Sequence, residues 1–204
     1  FRRFLKTDKV NIWKCVEGEH EIAIIPFEGS DGEMDYKRTV FVHYNIGEND
    51  DSFVCLSRTF QKPCPICQDI KEMEMRKDAD KDVLSGLYPI KRVIYNVWVL
   101  DNEKEKEKGV QIWIAPHKHI EDTLVGRARN KRTGELIIMG DPTVDGKDIG
   151  FERVGSDRET SYENLQFLDR TEPIPDEILE QAVNLDEVII VPTYEEVKNS
   201  VKSL

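Results

Sequence analysis

The sequence has no apolar run long enough to cross a bilayer. Its longest stretches, such as Ile22–Phe27 and Val188–Val191, fall far short of the roughly 20 residues a spanning helix needs, so no membrane role is expected. No positively charged leader runs into an apolar segment, so no secretion signal is read. The first residue is Phe1 rather than Met, and the numbering is expected to start inside a longer protein. Cysteine is sparse, with four in 204 residues, and a chain of this length has no need of a disulfide framework. Aromatics are only 8% of the chain, yet they and the β-branched residues are spread along it, which excludes collagen-like, low-complexity and wholly disordered classes. At 39% hydrophobic the chain can bury the core of one domain or slightly more.

Positive charge is in deficit as well: 29 Lys+Arg face 40 Asp+Glu, for a net charge of −11. A protein of that charge repels phosphate in the mean field. The distribution changes this reading. Residues 171–204 hold 8 acidic and 2 basic residues, net −6, which leaves −5 for residues 1–170. More acid lies in Glu28–Asp35, Glu48–Asp51 and the mixed run Asp69–Asp82. Basic residues gather elsewhere, in Arg2–Arg3, Arg58–Lys62, Lys91–Arg92, His117–His119 and Arg127–Arg132. Because the charge is segregated, the net value does not exclude a polyanionic partner.

Three of the four cysteines form a pattern. Cys64-Pro65-Ile66-Cys67 is a C-x-x-C, which serves either as a redox dithiol or as half of a metal site. A redox motif follows a strand and opens a helix in a βαβ unit, whereas this one follows the loop Gln61-Lys62-Pro63. The spacing His43-x11-Cys55-x8-Cys64-x2-Cys67 offers one imidazole and three thiolates, a complete tetrahedral shell of the kind structural zinc sites use. With all four positions taken by protein ligands, no position is open for a catalytic water, so the zinc is expected to be structural. Cys15, in the alternating stretch Ile12–Val16, reads as a small strand residue.

Most of the chain reads as short strands. Val10–Val16 and Glu21–Phe27 flank the turn signal Glu17-Gly18-Glu19; Arg38–Tyr44, Ser52–Leu56, Val93–Leu100, Val110–Ala115, Leu136–Met139, Gly150–Val154 and Ser161–Asp169 follow. Ile66, Ile70, Met73 and Lys77 recur at helical spacing, which predicts a helix leaving the cysteine loop. His119–Val125 and Asp176–Ala182 are further short helices, and Asp101–Gly109 reads as a solvated loop. Many short strands and few helices predict a mainly β fold, a small β-barrel with an inserted zinc-binding subdomain over about 43–82.

No catalytic constellation stands out. There is no His-Glu-x-x-His, no phosphate-binding glycine loop and no defensible Ser-His-Asp order, and His117-x-His119 has no clear acidic third ligand. The chain therefore reads as a non-enzyme. A zinc-stabilised acidic protein-interaction module, without nucleic-acid binding, is the alternative reading.

The order His43, Cys55, Cys64-Pro65-Ile66-Cys67-Gln68 resembles that of the T-even bacteriophage single-stranded DNA-binding proteins, also called helix-destabilising proteins. Leu87-Tyr88-Pro89-Ile90-Lys91-Arg92 with Tyr95, Gly109-Val110-Gln111-Ile112-Trp113 with His117-Lys118, the segment from Trp13 to Pro26, and Val154 through Phe167 extend the likeness over roughly residues 11–170. It implies an OB-fold with an inserted zinc subdomain, and a protein of the infected host's cytoplasm that coats single strands during DNA replication, recombination and repair. It also implies a basic amino-terminal segment (here 1–9), a core (10–170) and an acidic carboxy-terminal segment (171–204), with self-association on DNA and replication or recombination proteins as partners.

Single-strand binding needs cations along the phosphates and flat side chains for unpaired bases. In Val110–Ala115 the aliphatic Val110, Ile112 and Ile114 share one face, which is taken as core; Trp113 then belongs to the open face and is the leading stacking candidate. Tyr95, favoured by the resemblance, and Trp98 are the candidates on Val93–Leu100. Lys91, Arg92, His117, Lys118, Arg127, Arg129, Lys131 and Arg132 are expected to line a groove, with Arg58, Phe60 and Lys62 beside the zinc loop as its opposite wall.

Overall fold

A computed structural model describes residues 4–8, 10–76, 80–129, 132–156 and 159–201. The expected features Arg2–Arg3, Lys77 and Lys131 lie outside these residues. In chain order the first elements are β1 (Gly18–Ile25), β2 (Phe27–Glu28), β3 (Met34–Asp35), β4 (Arg38–Ile46) and β5 (Asp51–Val54). Helices α1 (Leu56–Phe60), α2 (Pro65–Arg76) and α3 (Lys81–Leu87) follow, then β6 (Ile90–Val99), α4 (Glu103–Lys106), β7 (Val110–Pro116) and α5 (Glu121–Ala128). The chain ends with β8 (Lys147–Val154), β9 (Ser161–Asp169), α6 (Asp176–Leu179), α7 (Leu185–Val188) and α8 (Tyr194–Val201). The fold is thus mainly β, with antiparallel pairing and short helices. Among the described residues no helix is long and apolar enough to cross a membrane.

The chain divides into two compact units, the first from the described parts of 1–8, 39–92 and 189–204, the second from those of 9–38 and 93–188. The acidic segment expected over 171–204 is therefore shared between them.

In the second unit β1 is central. It pairs antiparallel with β6, Ile22 opposite Val99 and Ile24 opposite Val97, and on its other side with β8, His20 opposite Phe151. β8 pairs with β9, and β7 adds to β6, giving the order β7-β6-β1-β8-β9. Among the described residues no pairing of β7 with β9 closes this path into a barrel.

Its core is aromatic. Trp113 and Phe151 stack with centroids 5.2 Å apart and planes 4° from parallel, and Trp13 meets Trp113 edge-on at 5.3 Å. Ile120 and Leu124 are fully buried against the same cluster. Here the expectation for Trp113 is corrected: the ring is 3% exposed and belongs to the interior, not to an open face. Alternation tells which residues share a face and not which face is inside; on β7 the indole side buries most area, while Val110 and Ile114 are left half-buried.

Three other elements differ from expectation. Val10–Val16 is not a strand, because only Ile12 bridges to Ile112 while the Trp13 N–H donates to the Ile112 carbonyl. Leu136–Met139 supplies one bridge, Leu136 to Arg129. Within Asp101–Gly109 the Asn102 side chain caps α4 by accepting from the Lys104 and Glu105 N–H groups, which nucleates a helical turn where a loop is expected.

In the first unit β4 and β5 form an antiparallel pair, Val42 opposite Val54 and His43 opposite Phe53. The helix predicted from Ile66, Ile70 and Met73 is α2, which starts at Pro65, where a missing N–H costs nothing. Ile66 and Ile70 are buried with Ile46, Phe53, Leu56, Leu87 and Val197 in one apolar cluster. A separate helix, α3, is capped by Asp80, whose side chain accepts from the Asp82 N–H at 2.8 Å.

Truncating the buried Phe151 to Ala should cost about 3–5 kcal/mol of stability, whereas Val125→Ala on the exposed side of α5 should stay within about 0.5 kcal/mol. Guanidinium unfolding followed by far-ultraviolet circular dichroism measures both.

Candidate metal centre

The four residues singled out by spacing converge in the first unit. His43 lies on β4, Cys55 follows β5 and caps α1, Cys64 ends the loop after α1, and Cys67 sits in the first turn of α2. Their ligand atoms all lie within 4.8 Å of one another. The Cys55 and Cys67 sulfurs are 3.4 Å apart, and His43 Nε2 is 3.6 Å from the Cys64 sulfur and 3.7 Å from that of Cys67. A tetrahedral ion with zinc-like bond lengths needs S···S and S···N edges of about 3.5–3.8 Å, so the donor set fits one such ion. His43, Cys55 and Cys64 are buried and Cys67 half-buried.

The surroundings orient the donors. His43 Nδ1 is 2.7 Å from the Leu87 carbonyl, so a proton on Nδ1 donates there and Nε2 faces the cluster, where an ion would displace its proton. The Arg58 N–H donates to the Cys55 sulfur at 3.3 Å, which fixes that donor at the start of α1. Burial works against a charged His43, but hydrogen bonds with Cys55 and Cys64 outweigh it and raise the imidazole to about 9. The Cys55 and Cys67 thiols hold Cys64 far below the ordinary thiol range, while Cys55 and Cys64 push Cys67 up. Without a cation, then, the cluster retains protons that an ion must displace. Cys15 is not part of it: it is half-buried in the second unit, and burial raises its thiol to about 12.

The residues expected beside the ligands lie within this unit. Arg58 and Lys62 are exposed, and Phe60 is half-buried. The Arg58 guanidinium stands 5.9 Å from the centroid of Phe41. Lys91 is exposed, and Arg92 donates to the Tyr44 hydroxyl at 3.2 Å with its guanidinium 5.5 Å from that ring. Phe41 and Tyr44 escaped the sequence reading, although their position two residues before and one after a ligand on an alternating strand was a usable signal. The Leu87 carbonyl, a backbone group 44 residues from its imidazole, left none.

The second unit distributes its candidates differently. Tyr95 is fully buried, its hydroxyl donating to Glu121 at 2.5 Å, so it is corrected from a stacking surface to a core residue for the same reason as Trp113. His117 is likewise 7% exposed, with Nδ1 3.3 Å from Asp122, and is not a groove-lining cation. Trp98 is half-buried, its indole N–H donating to the Lys106 carbonyl. Lys118, Arg127, Arg129 and Arg132 are exposed, Arg127 donating to the Leu165 carbonyl.

No protein-family model and no curated protein matches the chain.

Purified protein is expected to carry one equivalent of zinc by plasma mass spectrometry, and Cys64→Ser well under half of one. Since the ion competes with protons for all four donors, retention should fall as pH is lowered from 7 to 5.

Proposed function

We propose that the protein binds single-stranded DNA without sequence preference, as a non-enzymatic coat on unwound strands in replication, recombination and repair. The metal is a structural zinc. The observation that carries this reading is the placement of α1. Its basic and aromatic residues, Arg58 and Phe60, with Lys62 just beyond, lie between two metal ligands, Cys55 and Cys64. A bound ion therefore ties both ends of a cation-bearing turn without touching the strand itself. Phe41 under Arg58 and Tyr44 under Arg92 pair a ring with a guanidinium twice on the same unit, the combination that unpaired bases and their phosphates call for.

The topology of the second unit supports the reading. The antiparallel order β7-β6-β1-β8-β9, with α5 between β7 and β8 in the chain and the cysteine-bearing segment after β1, is compatible with the OB-fold that the resemblance implies. The resemblance of the His43 to Gln68 segment to the T-even phage single-stranded DNA-binding proteins points the same way, and with it to a viral protein acting in the host cytoplasm. Duplex offers no exposed base faces, so trapping unpaired strands destabilises it by mass action without a nucleotide cofactor. The acidic remainder of the surface discourages approach elsewhere.

Fluorescein-labelled oligo-dT should raise its anisotropy on adding protein at low salt, matched duplex should not, and affinity should fall steeply with salt. Lys62→Gln should weaken binding and lower the slope of log K against log salt by about 0.7. No response to oligo-dT at low salt would replace this reading with that of an acidic interaction module.

A further inference from the structure

A second feature lies wholly within the second unit. A groove of about 830 Å³ runs between the C-terminal part of α5, the segment 136–142 and the β3 turn. Four of its lining residues, Met34, Val125, Leu136 and Ile138, are large hydrophobics left 51–66% exposed to solvent. Exposed apolar side chains gathered around one groove are a feature of ligand-binding grooves.

One aromatic ring lines it, that of Tyr36, and it is held from several sides. Its hydroxyl donates at 2.8 Å to Glu121, a carboxylate only 2% exposed that also accepts from Tyr95 and from the Lys37 ammonium. Burial, reinforced by Glu121, pushes the Tyr36 hydroxyl up to about 12, so it remains a neutral donor. The Lys37 ammonium lies 5.0 Å from the ring centroid. Gly140, with φ of 74°, lies so close that a Cβ there would meet the Tyr36 Cβ at 2.8 Å. The Tyr95 ring lies 6.4 Å from it with planes 16° apart, so Tyr36 is a fixed, half-buried wall at the edge of the apolar groove.

Charge argues for what that partner is. Arg127 and Arg129, on either side of the lining residue Ala128, are both exposed. The lining carboxylates are engaged: Asp35 accepts from Arg38 at 2.6 Å and from the Tyr36 N–H at 2.7 Å, and Asp141 caps the Thr143 N–H at 2.9 Å. The site thus offers apolar and aromatic contact for a base face, with cations alongside for the phosphates that join one base to the next. We propose that this groove is a subsite for unpaired nucleobases, with the exposed Met34, Leu136 and Ile138 as its apolar contact surface and Tyr36, held by Glu121, as its fixed wall. The proposal rests on the single-strand-binding reading and gives the second unit its own point of contact with the strand.

The test uses the full chain, labelled oligo-dT, and two substitutions at the exposed Ile138 that leave the core untouched. Ile138→Asp puts a negative charge in the groove and should weaken oligo-dT binding by roughly 5- to 150-fold, the range for losing one stacked base. Ile138→Lys, equally polar and of opposite charge, should lose no more than about twofold. Oligonucleotides carrying 5-iododeoxyuridine should photocrosslink to Tyr36, Met34 or Met139. If the parent protein binds oligo-dT while Ile138→Asp binds as the parent does and no crosslink falls in these segments, the groove is not a base subsite and the wider reading stands. If the parent itself does not bind, both fall together.

Discussion

Four donor atoms within 4.8 Å of one another organise everything in the first unit. They come from the middle of a strand, the end of its neighbour, a loop and a helix, so satisfying them at one point fixes how those pieces meet. The apolar cluster around them is modest, with Phe53 and several aliphatic side chains as its buried bulk, and a core of that size contributes little stability alone. Bringing three sulfurs and an imidazole together is costly while they keep their protons and favourable once an ion replaces them, so an ion bound there would couple its binding to folding. A five-residue helix such as α1, too short to persist alone, would be steadied by the same coupling.

The second unit is held by other means. Its interior is built from rings, Trp13, Tyr95, Trp113 and Phe151, and from a buried carboxylate whose charge is met by two hydroxyls and an ammonium. A carboxylate in such a place would be destabilising without its donors, and losing any one of them would leave charge insufficiently met. Glu121 therefore constrains the register of Tyr36 and Lys37 relative to Tyr95 and α5 as firmly as any apolar contact.

Much of this was legible in the sequence, for reasons that follow from separation along the chain. His43, Cys55, Cys64 and Cys67 lie within 25 residues, and their chemistry allows few interpretations, so their convergence could be read from spacing. The helix at Ile66, Ile70 and Met73 and most strands follow from local periodicity. What could not be read depends on distant partners. The inside face of β7 is decided by Phe151 and Trp13, so alternation alone places Trp113 on the wrong side. Glu121 meets Tyr36 across 85 residues, and no local pattern announces a pairing of that kind. Val10–Val16 alternates as a strand does, but lies beside β7 with a single bridge instead of a ladder.

The placement of the indoles has an optical consequence. Trp13, Trp98 and Trp113 all fall in the second unit, and the first contains none. With two of the three sealed in the aromatic core, tryptophan emission reports whether that core is intact. It stays largely silent about the unit that holds the four donors, whose rings are phenylalanine and tyrosine. The protein thus carries a built-in spectroscopic separation: indole emission follows one half of the molecule, and absorbance of a cobalt ion substituted at the cysteines would follow the other.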